Sequence, residues 1–132
     1  MNAVSIAVRQ TVGSADWLVA SGSLPPGAPA GVYADLVRSL AGSGIRVAID
    51  TSGWALDAVL AAGPDLVKPN RDELAEMAGR PLLTIGDVIE AASRLRDLGA
   101  GTVLASLGAR PDPSSSSRAR TIRASRALDM RA

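Results

Sequence analysis

Neither cysteine nor histidine occurs among the 132 residues. The first absence excludes a disulfide framework and a thiolate metal site. The second removes imidazole bases, Ser-His-Asp triads and His-ligated zinc. No stretch approaches the ~20 apolar residues of a membrane span. The opening MNAVSIAVRQTVG has neither a cationic start nor an apolar core of signal-peptide length, so a cytoplasmic chain with no membrane partner is expected. Lysine and asparagine are scarce as well. Of 14 Lys and Arg residues only Lys68 is a lysine, and Asn2 and Asn70 are the two asparagines. Acid–base or metal chemistry therefore falls to carboxylates, hydroxyls, amides and one ammonium group.

What is present suits one α/β domain, with 47% hydrophobic residues. The net charge of +1 conceals a division. Residues 1–109 carry 8 basic and 11 acidic side chains, whereas 110–132 carry 6 Arg and 2 Asp. That final stretch, RPDPSSSSRARTIRASRALDMRA, is Ser/Arg-rich with weak periodicity and reads as a disordered tail. Its arginines suit phosphates, but it has no aromatic residue for base stacking, and a nucleic-acid partner is not expected. Residues 1–15 read as an irregular lead, and 16–109 as the folded core.

Within 16–109, apolar strand-like runs alternate with helical patterns. DWLVASG, IRVAID, LVK and TVLAS read as strands. Tyr33, Leu36, Val37 and Leu40 fall on one helical face. Thr84 and Asp87 form a capping-box pattern ahead of a helix whose apolar face is Ile85, Val88, Ile89, Ala92 and Leu95. Such alternation predicts right-handed crossovers and a parallel sheet covered on both faces, with ligands beyond the carboxyl ends of the strands. Polar residues and glycine gather at those ends: Ser21-Gly22-Ser23, Asp50-Thr51-Ser52-Gly53, Lys68-Pro69-Asn70 and Ser106-Leu107-Gly108.

Each cluster has a functional and a plain reading. Lys68 offers a point charge for phosphate. Asn70 and Glu73 suit phosphate or hydrated Mg²⁺, or else cap the next helix and favour its dipole. SGSLPPG at 21–27 either admits a ligand to the backbone or is an ordinary strand-to-helix loop. Asp50 either sits near a metal or caps a turn. Trp17, Tyr33 and Trp54 read as core or rim packing.

SGSLPPG, DTSGWAL from Asp50 and VKPNRDEL at 67–74, in that order and spacing, resemble the PfkB (ribokinase-like) carbohydrate kinases. The likeness is greatest to the branch with 1-phosphofructokinase and tagatose-6-phosphate kinase. It runs from about Asp16 to Gly108, with SLG at 106–108 as a weaker match. The resemblance implies a partial ribokinase-like, Rossmann-like three-layer α/β fold around a parallel sheet of about four strands, without the family's lid and C-terminal part. It implies ATP and Mg²⁺ as cofactors and a phosphorylated ketohexose such as fructose 1-phosphate as phosphoryl acceptor. Ser21, Gly22 and Ser23 would contact the sugar phosphate, while Lys68, Asn70, Ser106 and Gly108 would bind nucleotide. Glu73, closing an Asn-x-x-Glu element, and Asp50 would serve the metal. The family's catalytic base is the Asp of a GAGD-type motif, and no such motif occurs here. A chain inactive alone is expected, with self-association through exposed sheet edges and a tail of foreign or out-of-frame coding. A non-catalytic nucleotide-binding module or a decayed remnant is the alternative.

Overall fold

In the computed structural model the described residues are 3–108 and 121–125. Helix α1 (Ala3–Val12) leads into β1 (Trp17–Ser21), α2 (Val32–Ser39), β2 (Arg46–Asp50), α3 (Gly53–Leu60) and β3 (Leu66–Val67). Then come α4 (Arg71–Ala78), α5 (Ile85–Asp97), β4 (Thr102–Ser106) and β5 (Thr121–Ser125). Strands β1 to β4 are parallel and lie side by side in chain order, and β5 pairs antiparallel with β4.

That order decides where the core sits. Each right-handed crossover to the neighbouring strand brings its helix to the same face of the sheet. Leu18, Ala20, Val47, Ile49, Val67, Val103 and Ala105 share one side of the pleat and belong to, or pack against, the core with Leu36, Leu56, Val59, Leu74 and Leu95. The other side presents Trp17, Val19, Ala48, Leu66 and Leu104, and Val19 is 68% exposed. The α/β class and the parallel sheet agree with the sequence reading. The cover expected on both faces is supplied on one, so the described residues form two of the three layers.

Other expectations are corrected. The lead expected to be irregular contains α1, whose Val8 and Val12 pack against the core. The tail expected to be disordered contains β5, whose Thr121–Ser125 segment satisfies the backbone edge that β4 would otherwise leave unpaired. The rest of the tail lies outside the described residues. On α5 the buried stripe is Val88, Ala91, Ala92 and Leu95, while Ile85 and Ile89 are exposed. The helix is rotated so that two alanines allow close approach to the sheet and its neighbours.

The capping box that opens α5 is formed. The Asp87 N–H donates to Thr84 Oγ1 at 3.0 Å, and the Asp87 carboxylate accepts from the Leu83 and Thr84 N–H groups at 2.9 and 3.0 Å. Arg80 stands 3.3 Å from the same carboxylate. The Thr84 and Leu83 amides, followed by Arg80, hold the Asp87 pKa down at about 2. A depressed carboxylate stabilises the fold above its unfolded pKa, and that contribution vanishes as pH falls from about 4 through about 2. Asp87→Asn should flatten the acid limb of stability in that window, read by urea unfolding at successive pH values. An unchanged limb would show that Asp87 is not a source of it.

Candidate functional site

The four parallel strands end along one rim, and main-chain hydrogen bonds join those ends laterally. The Gly22 N–H donates to the Asp50 carbonyl at 3.0 Å, and Ser21 is in register with Asp50. The Lys68 N–H donates to the Ile49 carbonyl at 3.3 Å. The Ser106 N–H donates to the Pro69 carbonyl at 3.0 Å, and Asn70 and Ser106 form a parallel bridge beyond the named strands. With neighbouring strands roughly 4.8 Å apart, the rim from Ser21 to Ser106 spans about 14 Å. A nucleotide triphosphate fits along such a length.

Every residue assigned a ligand-binding role from the sequence lies on or beside this rim. Ser21 closes β1 and Gly22 and Ser23 follow it, all three exposed, and Asp50 is half-buried at the end of β2. Lys68 is exposed after β3, with fully buried Pro69 behind it anchoring the turn. Ser106 closes β4, and exposed Gly108 follows it. Asn70 is the N-cap of α4. Its Oδ1 accepts from the Glu73 N–H at 2.8 Å, and its own N–H donates to Glu73 Oε2 at 2.9 Å. The capping reading of this pair is thus realised in full. It leaves the Asn70 side-chain NH₂ and the Glu73 Oε1 without a protein partner among the described residues.

The donor set also tests the fit of a metal. No group of three or more carboxylates capable of caging an ion is found among the described residues. What the rim offers is Asp50, Glu73 and the Asn70 amide near one lysine. Mg²⁺ typically keeps several waters and binds through one or two carboxylates plus substrate phosphates, so these residues suit an ion that arrives with a triphosphate. Beside the rim, Trp54, Asp57, Glu73, Glu76 and Met77 border a cleft of about 270 Å³. Its acidic walls are unsuited to phosphate. A larger cavity, about 430 Å³, lies within the helical layer among Leu74, Met77, Arg94, Leu95 and Leu98.

Two residues beside the rim were given no role in the site from the sequence. Thr51 is 6% exposed and donates from Oγ1 to the Gly22 carbonyl at 3.1 Å. Tyr33, read as packing, donates from its hydroxyl to the same carbonyl at 2.8 Å. A lone tyrosine on the first turn after the loop was the available signal. The tryptophans are not core residues. Trp54 is 75% exposed at the start of α3, and Trp17 is exposed on β1 with Arg46 stacked 5.6 Å from its ring centroid.

Fold and rim together define a parallel α/β domain with its polar residues collected at strand carboxyl ends. The profile described as pfkB family carbohydrate kinase matches residues 2–112. The chain belongs to that family. It is 49% identical over 94 residues to 1-phosphofructokinase of Rhodobacter capsulatus, covering 71% of this chain and 30% of that protein. It is 40% identical over 100 residues to D-tagatose-1-phosphate kinase of Klebsiella oxytoca, covering 76% and 33%. Among solved structures, phosphofructokinase-2 from Escherichia coli in complex with fructose-6-phosphate superposes with a TM-score of 0.71 at 35% identity, covering 92% of this chain and 40% of that one. The chain thus spans about a third of the length of the curated relatives it matches.

Proposed function

We propose that these residues form the nucleotide and sugar-phosphate rim of an ATP-dependent sugar-phosphate kinase, with a phosphorylated ketohexose such as fructose 1-phosphate as acceptor. The observation that carries the reading is the lateral joining of Ser21–Gly22, Asp50, Lys68–Asn70 and Ser106 along the carboxyl-end rim of the sheet. The family supplies the use of ATP. Lys68 neutralises phosphate charge, and the Asn70 NH₂ donates to a phosphate oxygen while its Oδ1 keeps α4 in place. Ser106 and Gly108 border the nucleotide, and Ser21 to Ser23 face the sugar phosphate. Asp50 and Glu73 would help to hold a Mg²⁺ ion arriving with the triphosphate, which would supply charge neutralisation.

Phosphoryl transfer needs positioning, charge neutralisation and an oriented nucleophile together. The 132 residues contain no GAGD-type aspartate to take the acceptor's proton, so the reading is binding without turnover by this chain alone, in the cytoplasm. Isothermal calorimetry with MgATP and with fructose 1-phosphate, paired with a coupled assay for ADP release, tests it. Saturable binding of both with no ADP is the expected result. No binding of either would leave a decayed remnant as the correct description.

Self-association through β1 is part of the same reading. One edge of β1 is unpaired among the described residues, and its WLVAS segment bears no charge to discourage edge pairing. Val19→Lys places an ammonium on that strand at an exposed position. Sedimentation velocity should show the wild type as oligomers and the variant shifted toward monomer. Identical distributions would remove β1 as the contact.

A further inference from the structure

The Gly22–Ser23 peptide is held more firmly than an exposed loop requires. Its carbonyl oxygen accepts from two hydroxyls, Tyr33 at 2.8 Å and Thr51 at 3.1 Å, which occupy both lone pairs. The preceding amide, the Gly22 N–H, is committed to Asp50. Three elements therefore converge on one residue: β2 through Asp50, the turn after it through buried Thr51, and α2 through Tyr33. Gly22 itself has φ of 116°, where a side chain is strained.

The peptide is trans, like every described one, so its N–H points opposite to its carbonyl. With the carbonyl turned in toward Thr51 and Tyr33, the Ser23 N–H is turned away from them, on an exposed residue at the rim. It finds no acceptor among the described residues. We infer that Tyr33 and Thr51 are positioning residues that aim the Ser23 main-chain N–H as a donor to an anionic oxygen of the phosphorylated acceptor. This inference rests on the sugar-phosphate reading of the rim. Neither hydroxyl touches substrate. Each acts through the peptide it fixes, and the ammonium and amide at Lys68 and Asn70 are independent of both.

The test uses the full chain with Tyr33→Phe, Thr51→Val, the double variant and Thr51→Ser, which keeps the hydroxyl. Hydrogen–deuterium exchange over residues 21–27 should quicken about tenfold in the double variant, while residues 66–74 stay as in the wild type. Fructose 1-phosphate should slow exchange at 21–27 in the wild type, and its Kd should rise about tenfold in the double variant, as expected for one misdirected hydrogen bond. The Kd for MgATP should stay within about twofold, and Thr51→Ser should behave as wild type. A purely structural role would weaken both ligands together, and that result overturns the inference. So does wild-type binding of fructose 1-phosphate without protection of 21–27, which leaves the kinase reading standing. Failure of the wild type to bind the sugar phosphate at all overturns that reading, and the donor role falls with it.

Discussion

Alanine in place of Gly99 is expected to destabilise the fold by about 4 kcal/mol. Gly99 follows α5 with φ of 137°, and a Cβ built there would overlap the carbonyl oxygen of Leu60 at the end of α3. The obstruction is main chain, which cannot swing aside as a flexible side chain would. Strained backbone of this kind costs about 1–3 kcal/mol, and overpacking against a rigid neighbour adds about as much. A total of about 4 kcal/mol is a large fraction of the roughly 5–15 kcal/mol that holds a typical domain together. Gly86→Ala is the control. It lies in the first turn of α5, where the new Cβ meets Thr84 Oγ1 at an ordinary 3.6 Å. That variant should gain about 0.5–1 kcal/mol. Urea unfolding of both would decide, and a Gly99→Ala chain as stable as wild type would mean that the ends of α3 and α5 do not meet as described.

Removing the lone lysine has the largest expected effect on binding. Lys68→Met keeps the length and apolar stem of an exposed side chain and deletes its charge, so unfolding should change by less than about 0.5 kcal/mol. A hydrogen bond to a charged group contributes about 1.5–3 kcal/mol, so MgATP affinity should fall about 10- to 100-fold. Asn70→Ala is the informative companion. It deletes the Oδ1 that accepts from Glu73 as well as the NH₂ at the rim, so it should lose about 1 kcal/mol of stability in addition to affinity. If Lys68→Met binds MgATP as the wild type does, the phosphate reading of the rim is wrong.

The parts legible in the sequence were those set by local chemistry. Thr84-x-x-Asp87 spells a capping box, which forms as expected, and Asn70 caps its helix as read, with the Glu73 carboxylate returning the hydrogen bond. The strands DWLVASG, IRVAID, LVK and TVLAS fall where their apolar runs lie, and the polar residues after them reach a common rim. What stayed hidden depends on neighbours. WLVAS has the composition of a buried strand, yet Trp17 and Val19 lie exposed on the side of the pleat away from the core, which no residue within it encodes. The TIRAS strand has only a weak pattern of its own and is defined by pairing with β4. Ile85 and Ile89 have the periodicity of a buried face, but the bulk of the opposing layer decides which stripe turns inward. Thr51 and Tyr33 meet at Gly22 only because β2 and α2 are brought beside the end of β1, a long-range fact.

Strands laid side by side in chain order bear on how the molecule is made. Every parallel strand pairs with the one synthesised just before it, so each new β–α unit finds its template already formed while the chain leaves the ribosome. The loop to be closed is a single crossover, and its entropy rises only slowly with length. Such an order lets the sheet add strands in one direction, from β1 outward, with β5 pairing antiparallel along the edge of β4.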